Sequence, residues 1–149
     1  MGKKAQIPPS PVASHLDAIL DSIEDGVFIV DRHGHALAVN AAYEQLTGLP
    51  RAELIGKNVE ELNKQGLCNI APITPEIVAT GRPASSIQVT RDNRTMTIDG
   101  KPIRNPDGTV GLVVLYARDI TLMDRMRERI SRQQELIETY QHQMDFFIR

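Results

Sequence analysis

The side chains best suited to acid–base or metal chemistry are scattered along this sequence. Its four histidines, His15, His33, His35 and His142, lack the spacing of zinc or other metal ligands. We expect them to be exposed to solvent. The sequence contains no nucleophile–base pair, no phosphate-binding glycine loop and no metal motif. We therefore expect a protein that is not an enzyme.

Cys68 is the only cysteine of the chain. An intramolecular disulfide is therefore impossible, and a reducing, cytoplasmic compartment is expected. The residue follows Gly66-Leu67 in a predicted loop beside the sheet. We predict that Cys68 is a small buried hydrophobic residue. The alternative is a pocket-lining or redox-sensitive thiol.

The composition also limits the partners. The net charge of -2 does not favour a nucleic-acid surface. No apolar run reaches the roughly 18 residues that a membrane span needs. The start, Met1-Gly2-Lys3-Lys4, is not followed by the apolar region of a signal peptide. A length of 149 residues allows one domain and a helical extension.

The first half of the chain predicts a helix and a β-hairpin. Residues 1–13 contain three prolines and are predicted to be a flexible N-terminal segment. Ser14 is predicted to cap a helix that ends near Glu24. Residues 26–40 predict a hairpin with a glycine turn at Gly34.

Several short helices with clear start and stop signals follow. Asn40 is suited to cap a helix that Gly48 ends. A short helix over 50–55 is predicted next, and Asn58 is suited to cap another. Thr74-Pro75-Glu76 predicts the start of a further helix that ends at Gly81. Helices this short are typical of a segment that covers one face of a sheet.

Three strands then complete the predicted sheet. Residues 87–90 and 95–99 alternate between apolar and polar side chains, which predicts one buried and one wet face. Asn105-Pro106-Asp107-Gly108 is a strong turn signal. The last strand, over 110–118, is apolar on both sides and is expected at the centre of the sheet. This order of elements predicts an α+β fold with an antiparallel sheet.

Residues 122–149 are predicted to form a coiled-coil signalling helix that continues directly from the last strand. Asp119-Ile120-Thr121 lies at the junction, and Thr121 is predicted to cap the helix with Asp124 as its capping-box acid. Heptad spacing predicts a parallel homodimer, in which Gln133 would set the register. The alternative is that this stripe packs on its own domain. The predicted dimer interface consists of Met123, Met126, Ile130, Gln133, Ile137, Tyr140, Met144 and Phe147.

Residues 14–121 resemble a PAS domain. The matching segments are Asp21-Ser22-Ile23-Glu24-Asp25-Gly26-Val27, Asp31 before the Gly34 turn, Asn40-Ala41, Leu46-Thr47-Gly48, Glu53-Leu54-Ile55-Gly56-Lys57, Pro106-Asp107-Gly108 and Asp119-Ile120-Thr121. The resemblance implies a five-stranded antiparallel sheet with short helices on one face. It also implies sensing or dimerisation, with Asp119, Ile120 and Thr121 transmitting the signal to the helix.

The order of segments is similar to that in bacterial sigma-54-dependent transcription regulators. The resemblance implies a regulatory module whose downstream effector, an ATPase, lies outside these residues. One alternative is a dimerisation module that binds no ligand. The other is the input domain of a histidine kinase. Against that alternative, His142 lacks the adjacent acid and following proline of a phosphoacceptor helix.

The resemblance also bears on cofactors. Light-sensing PAS domains that form a flavin–thiol adduct have cysteine at the fourth position of the Gly56-Lys57-Asn58-Val59 motif, where this chain has Val59. This argues against an adduct and leaves non-covalent flavin binding open. The helix of Thr74 to Thr80 has no histidine for haem. The identity of any cofactor stays open.

A small-molecule pocket is expected between the sheet and the helices. Ordinary core packing of the same residues is the alternative. Tyr43 is the most informative of them, because a buried phenol needs a hydrogen-bond partner. The predicted pocket residues are Tyr43, Cys68, Ile73, Val78, Ile87, Val89, Met96 and Ile98.

Overall fold

The computed structural model of the chain describes residues 10–65, 73–89 and 92–147. In these ranges the chain forms seven helices and five strands. The elements in chain order are α1 (Pro11–Ser14), α2 (Leu16–Asp21), β1 (Gly26–Asp31), β2 (Ala36–Val39), α3 (Ala41–Thr47), α4 (Arg51–Leu54), α5 (Val59–Lys64), α6 (Ile73–Thr80), β3 (Ala84–Val89), β4 (Thr95–Arg104), β5 (Val110–Asp119) and α7 (Thr121–Phe147).

The five strands form one antiparallel sheet in the order β2-β1-β5-β4-β3. The predicted α+β fold with a five-stranded antiparallel sheet is therefore confirmed. β5 lies at the centre, as its apolar residues on both faces predict. Its neighbours β1 and β4 pair with it along almost their whole lengths, for example Phe28 with Leu115 and Ile98 with Ala117.

The main core lies between the sheet and the helices α3 to α6. Phe28, Val113 and Leu115 project from the central strands, and Leu54 and Ile77 come from the helices; all are at most 1% exposed. Gly100 of β4 permits the close approach of α6. A Cβ at Gly100 would collide with the Ile77 side chain and lie 3.1 Å from Leu115 Cδ2.

The opposite face of the sheet is only partly covered. Leu20 of α2 packs there against Val27 and Val114, forming a second, smaller buried cluster. Beyond α2, this face carries exposed side chains, including Ile87 of β3. α2 therefore closes one end of this face through Leu20.

The start of the helical region differs from the prediction. α1 begins at Pro11, inside the segment predicted to be flexible, and the Ser10 side chain caps it by accepting the Val12 N–H. Ser14 is the last residue of α1, and its hydroxyl donates to the Pro11 carbonyl. The predicted cap at Ser14 is thus wrong, because a serine hydroxyl also bonds readily to a preceding carbonyl.

Asn40 links three elements through one buried amide. Its Oδ1 accepts the N–H of Val27 in β1 at 2.8 Å and that of Tyr43 in α3 at 3.0 Å. Its Nδ2 donates to the carbonyl oxygens of Leu20 at 2.9 Å and Asp25 at 3.0 Å. The predicted N-cap of α3 is confirmed. The amide also joins α2 and the following turn to the sheet, since it is fully buried.

No helix among the described residues combines the length and the apolar character that crossing a bilayer requires.

Replacing Asn40 with alanine is expected to lower the free energy of unfolding by about 2–4 kcal/mol, because two buried N–H groups and two carbonyls lose their partner. Urea denaturation followed by far-UV circular dichroism measures the change. Gln45→Ala on the exposed side of α3 is the control, expected to stay within about 0.5 kcal/mol of the wild type. A loss below about 1 kcal/mol for Asn40→Ala would contradict the linking role.

Candidate functional site

In the part of the chain that the structure describes, packed side chains lie between the sheet and the helices. Four of the predicted pocket residues, Tyr43, Ile73, Met96 and Ile98, lie together in the main core and are 3–7% exposed. The Tyr43 ring stacks on Phe28 with 5.0 Å between the ring centroids. The structure thus brings these four residues together, as members of the core. Cys68 lies outside the described residues.

Two predicted pocket residues lie on the face of the sheet that is turned away from the helices. Ile87 and Val89 are 70% and 59% exposed on the sheet face opposite the helices. In the β3–β4 register Gln88 is opposite Met96, which is buried under the helices, and Ile87 is opposite Thr97 on the other face. The expectation that Ile87 and Val89 face the helices is therefore wrong. At an edge strand the apolar side chains need not mark the buried face.

An open groove lies at the surface, between the β1–β2 turn and the helices α5 and α6. Its volume is about 340 Å³, which is within the range of small-molecule sites. Of the predicted pocket residues, Val78 contributes to it. Its polar lining includes Arg32, His33, Asn58 and Thr74, and its apolar lining includes Val59 and Val78.

The β1–β2 turn is joined firmly to the start of α5. Asn58 donates from Nδ2 to the His33 carbonyl at 3.0 Å and caps α5 by accepting the Glu60 N–H at 2.9 Å. The Val59 N–H donates to the Gly34 carbonyl at 2.9 Å. Gly34 has a φ of +87°, a conformation that glycine adopts without strain. One wall of the groove is thus held by backbone geometry.

Asp31 fixes the turn from its other side. Its Oδ1 accepts the N–H groups of His33 at 2.8 Å and His35 at 2.9 Å, and its Oδ2 lies 3.2 Å from His35 Nδ1. Partial burial raises the pKa of Asp31, but the bonds from His35 and His33 outweigh it, so the pKa lies below its ordinary value. Asp31 therefore stays ionised and keeps Arg32 and His33 at the groove.

Thr74, one of the residues that line the groove, carries a buried and unsatisfied polar atom. The residue is 5% exposed, and its Oγ1 has no hydrogen-bond partner among the residues that the structure describes. Buried hydroxyl groups in folded proteins are nearly always hydrogen-bonded, so an exception needs an explanation. The oxygen is sealed from solvent, so a ligand in the open groove would not reach it in this arrangement.

A smaller and more polar cleft adjoins the groove and has a volume of about 230 Å³. Arg32, Val78 and Ala79 line both spaces. On its far side, Arg104 donates to the carbonyl oxygens of Gly81 at 2.7 Å and Gly108 at 3.0 Å. Arg32 therefore stands where the groove and the cleft meet.

The junction between β5 and α7 is bonded to the neighbouring strand β4. The Thr95 N–H donates to Thr121 Oγ1 at 2.8 Å, and the Ile120 N–H donates to the Thr95 carbonyl at 2.8 Å. Thr95 Oγ1 donates to Asp124 Oδ2 at 3.2 Å. The first turn of α7 is thus attached to the sheet by three hydrogen bonds to one residue.

The predicted capping box at Thr121 and Asp124 is wrong in its details. Asp119 Oδ1 accepts the Thr121 N–H at 2.9 Å and also the Thr121 hydroxyl, so the Asp119 carboxylate caps the helix. Thr121 and Asp124 instead bond to Thr95 of β4, because the strand lies close enough to compete for them. The bonds from the Thr121 hydroxyl and N–H lower the pKa of Asp119 below its ordinary value.

The predicted dimer stripe is exposed along α7. α7 has 27 residues, a length of about 40 Å. The six apolar stripe residues from Met123 to Met144 are each 56–62% exposed, and Gln133 is exposed as well. The alternative that this stripe packs on its own domain is therefore wrong for these residues. The Phe147 side chain lies outside what the structure describes.

Sequence reasoning missed the groove and the Thr95 attachment. The His33-Gly34 turn and the Asn58 cap were both recognisable, but nothing in their spacing shows that they are neighbours. Among the residues that the structure describes, no three histidine, cysteine, aspartate or glutamate side chains come together as a metal site would require.

Comparison with known proteins decides the family. The family model described as the PAS fold matches residues 20–125. The chain belongs to the PAS fold family. The match covers β1 to β5 and the start of α7, so the core, the groove and the junction all lie inside the PAS domain. No functionally curated protein matches the chain in sequence.

Solved structures share this fold at low sequence identity. An RNA-binding Light-Oxygen-Voltage receptor matches with a TM-score of 0.68 and 19% identity, over 95% of this chain and 42% of that receptor. The chain thus spans less than half of that receptor. The PAS domain of BvgS from Bordetella pertussis matches with a TM-score of 0.62 and 18% identity, over 85% of this chain and 98% of that domain. A sensory box sensor histidine kinase from Vibrio cholerae matches with a TM-score of 0.56 and 20% identity, over 73% and 91% of the two chains.

Replacing Thr121 with valine is expected to raise the pKa of Asp119 towards its ordinary value of 3.8, because the hydroxyl bond is the largest cause of the lowering. NMR titration of the side-chain carboxyl carbons measures this pKa directly. Thr121→Ser keeps the hydroxyl and is expected to leave the pKa low.

The same change has a predictable effect on stability. A carboxylate whose folded-state pKa is depressed stabilises the fold above its unfolded pKa, and this stabilisation is lost as the pH falls through the folded-state value. Thr121→Val should therefore reduce the part of the stability that is present at neutral pH and lost below about pH 3.8. An unchanged Asp119 pKa in this variant would contradict the proposed hydrogen bond.

Proposed function

We propose that this chain is the ligand-sensing and dimerising PAS module of a bacterial transcription regulator, which passes its state to a coiled coil. Membership of the PAS family supports the sensory role. The single observation that carries the output is the exposed apolar stripe of α7, which is unpartnered within the described chain and continues from the central strand. The module itself is non-catalytic and cytoplasmic in this proposal.

The exposed stripe favours a second copy of the chain as its partner. Apolar residues at a spacing of three and four form the seam of a parallel two-stranded coil, and isolated helices gain little stability from such an exposed stripe. Gln133 at one seam position would fix the register at some cost in stability. The coil would leave both domains at the same end, next to their Asp119-Ile120-Thr121 junctions.

The signal would travel through the attachment of α7 to the sheet. A ligand that favours one position of α6 and the β1–β2 turn would alter the strands that carry Thr95 and Asp119. These strands determine the exit direction of α7 through the bonds to Thr121 and Asp124. A 100-fold difference in affinity between two states corresponds to about 2.7 kcal/mol, which a few buried contacts supply.

Ligand sensing is favoured over dimerisation alone by the groove. A module that only dimerises has no need of an open groove of small-molecule size, and this domain has such a groove between the β1–β2 turn, α5 and α6. The groove of Arg32, Asn58 and Thr74 is the ligand site that we propose, because Met96 and Ile98 are packed into the core.

A sigma-54-dependent regulator with a downstream ATPase is the effector that we propose. The alternative effector is a histidine kinase, whose sensory domains have the same fold. The order of segments and the absence of a phosphoacceptor pattern around His142 favour the first. The open reading frame beyond Arg149 distinguishes them, since an ATPase motif there would support the proposal and a kinase domain would overturn it.

Replacing Ile130 with glutamate is expected to convert the dimer to single chains, because it places two like charges in the apolar seam. Sedimentation velocity and sedimentation equilibrium experiments on the whole chain measure its oligomeric state. Ser131→Glu is the matched control. It adds the same charge on the next residue, outside the stripe, and is expected to remain dimeric.

Far-UV circular dichroism checks that both variants retain the fold of the domain. Wild-type protein that sediments as single chains at high concentration, with α7 intact, would contradict the dimeric output. Dimers that persist equally in both variants would place the interface elsewhere.

A further inference from the structure

The two edges of the sheet differ in how they are protected. β2, at one edge, exchanges backbone hydrogen bonds with the segment before α5. Its Ala36 donates to the Lys57 carbonyl at 2.9 Å and accepts the Gly56 N–H at 2.8 Å. β3, at the other edge, has six residues and pairs with β4 on one side. Among the residues that the structure describes, no segment other than β4 forms a backbone hydrogen bond with β3, so its outer edge is open.

The sequence of β3 lacks the features that usually block pairing at an open edge. Proteins protect such edges with charged residues, prolines or bulges. The strand Ala84–Val89 contains no charged residue, no proline and no glycine, and its register with β4 is regular throughout. Every second residue of an edge strand directs its N–H and C=O groups away from the neighbouring strand. β3 thus offers a regular row of backbone donors and acceptors over about 20 Å.

The side chains of β3 favour another copy of the same strand as the partner. Ile87 and Val89 are exposed on the outer face of the sheet, and Ser86 and Gln88 are half-buried on the face of the helices. None of them carries a charge, so two copies can approach without repulsion between like charges. Recognition of a foreign strand uses pockets for its alternate side chains. Neither the groove nor the cleft borders β3, so the match must come from the strand itself.

Geometry restricts the register in which two copies of β3 can pair. Directly opposite residues of antiparallel strands point to the same face of the sheet, so a two-fold axis must relate one residue to its own copy. Axes at Ser86 and at Ile87 give the longest overlaps within the strand. The axis at Ser86 would leave Val89 without a partner. The axis at Ile87 places Ile87 opposite its copy, Ser85 opposite Val89, and the Ser86 hydroxyl opposite the Gln88 amide.

We propose that a second copy of this chain pairs with the β3 edge, antiparallel and in register about Ile87, so that the two sheets become one continuous sheet. The backbone edges supply the hydrogen bonds, and the two Ile87 side chains cover each other. This interface is separate from the proposed coiled coil, because β3 and the stripe of α7 are different elements. A few residue pairs bury little surface, so the pairing is weaker than the coil and is expected at high protein concentration.

Single cysteines in the whole chain, with Cys68→Ser as the background, test this register. Ile87→Cys places two thiols at the axis, where opposite Cα atoms lie about 4.5–5.5 Å apart, within the range of a disulfide. Val89→Cys is the matched control, exposed on the same face, but its two copies would lie about 13 Å apart. With oxidised glutathione as the oxidant, Ile87→Cys is expected to form disulfide dimers at least about tenfold faster than Val89→Cys. Non-reducing electrophoresis and intact-mass spectrometry measure the rates.

A second pair of cysteines tests the same register independently. In an equimolar mixture, Ser85→Cys and Val89→Cys are expected to form the mixed disulfide in preference to either homodimer, because these positions lie opposite each other. Adding Ile87→Lys to both chains is expected to slow the mixed disulfide at least about fivefold, since it places two like charges in contact. Ile103→Lys is the control and is expected to leave the rate unchanged. Ile103 is exposed on β4, beyond the residues that pair with β3.

The outcomes separate this inference from the proposed function. Equal rates for Ile87→Cys and Val89→Cys would indicate random collision and overturn the β3 pairing, as would a mixed disulfide that Ile87→Lys does not slow. Both experiments are repeated with Ile130→Glu, in which the same preferences are expected. Their loss there would overturn β3 as an interface in its own right. Far-UV circular dichroism checks the fold of each variant, and dimerisation through α7 keeps its own sedimentation test.

Discussion

The buried amide of Asn40 is the constraint on which the arrangement of elements depends. A fully buried amide must satisfy its donors and acceptor, and Asn40 does so with groups of α2, the following turn, β1 and α3. Asp21 adds a second link, because its Oδ1 accepts the Ala41 N–H at 2.9 Å. α2 therefore cannot leave its face of the sheet without exposing unsatisfied groups around Asn40.

The central strand connects this arrangement to the output helix. β5 pairs with β1, whose position Asn40 fixes, and with β4, whose first residue Thr95 holds the start of α7. A displacement of either neighbouring strand would therefore change the direction in which α7 leaves the sheet. Beyond this attachment the apolar stripe of α7 is exposed, so a second copy is the partner that the proposed coiled coil requires.

The groove at the surface offers the proposed sensory function a site outside the described core. The interior is packed by Phe28, Tyr43 and Ile77, and Gly100 lets α6 lie directly on the sheet. An open groove lies at the surface, where the β1–β2 turn meets α5 and α6. A ligand there would contact the outside of α6, whose other side packs on the sheet, and α6 would transmit its position to the strands.

Local signals in the sequence determined most elements of this protein. Asn40, Gly48, Asn58 and Gly81 each act on the next few residues, so helix starts and ends followed from the sequence, and the two-sided apolar character of β5 placed it at the centre. Tertiary structure alone decided which face Ile87 presents, which partners Thr121 takes, and that Arg32, Asn58 and Thr74 share a groove. The reason is that these depend on strand register and on which distant segments of the chain meet, such as Asn58 with His33 and Thr121 with Thr95, which no local pattern encodes.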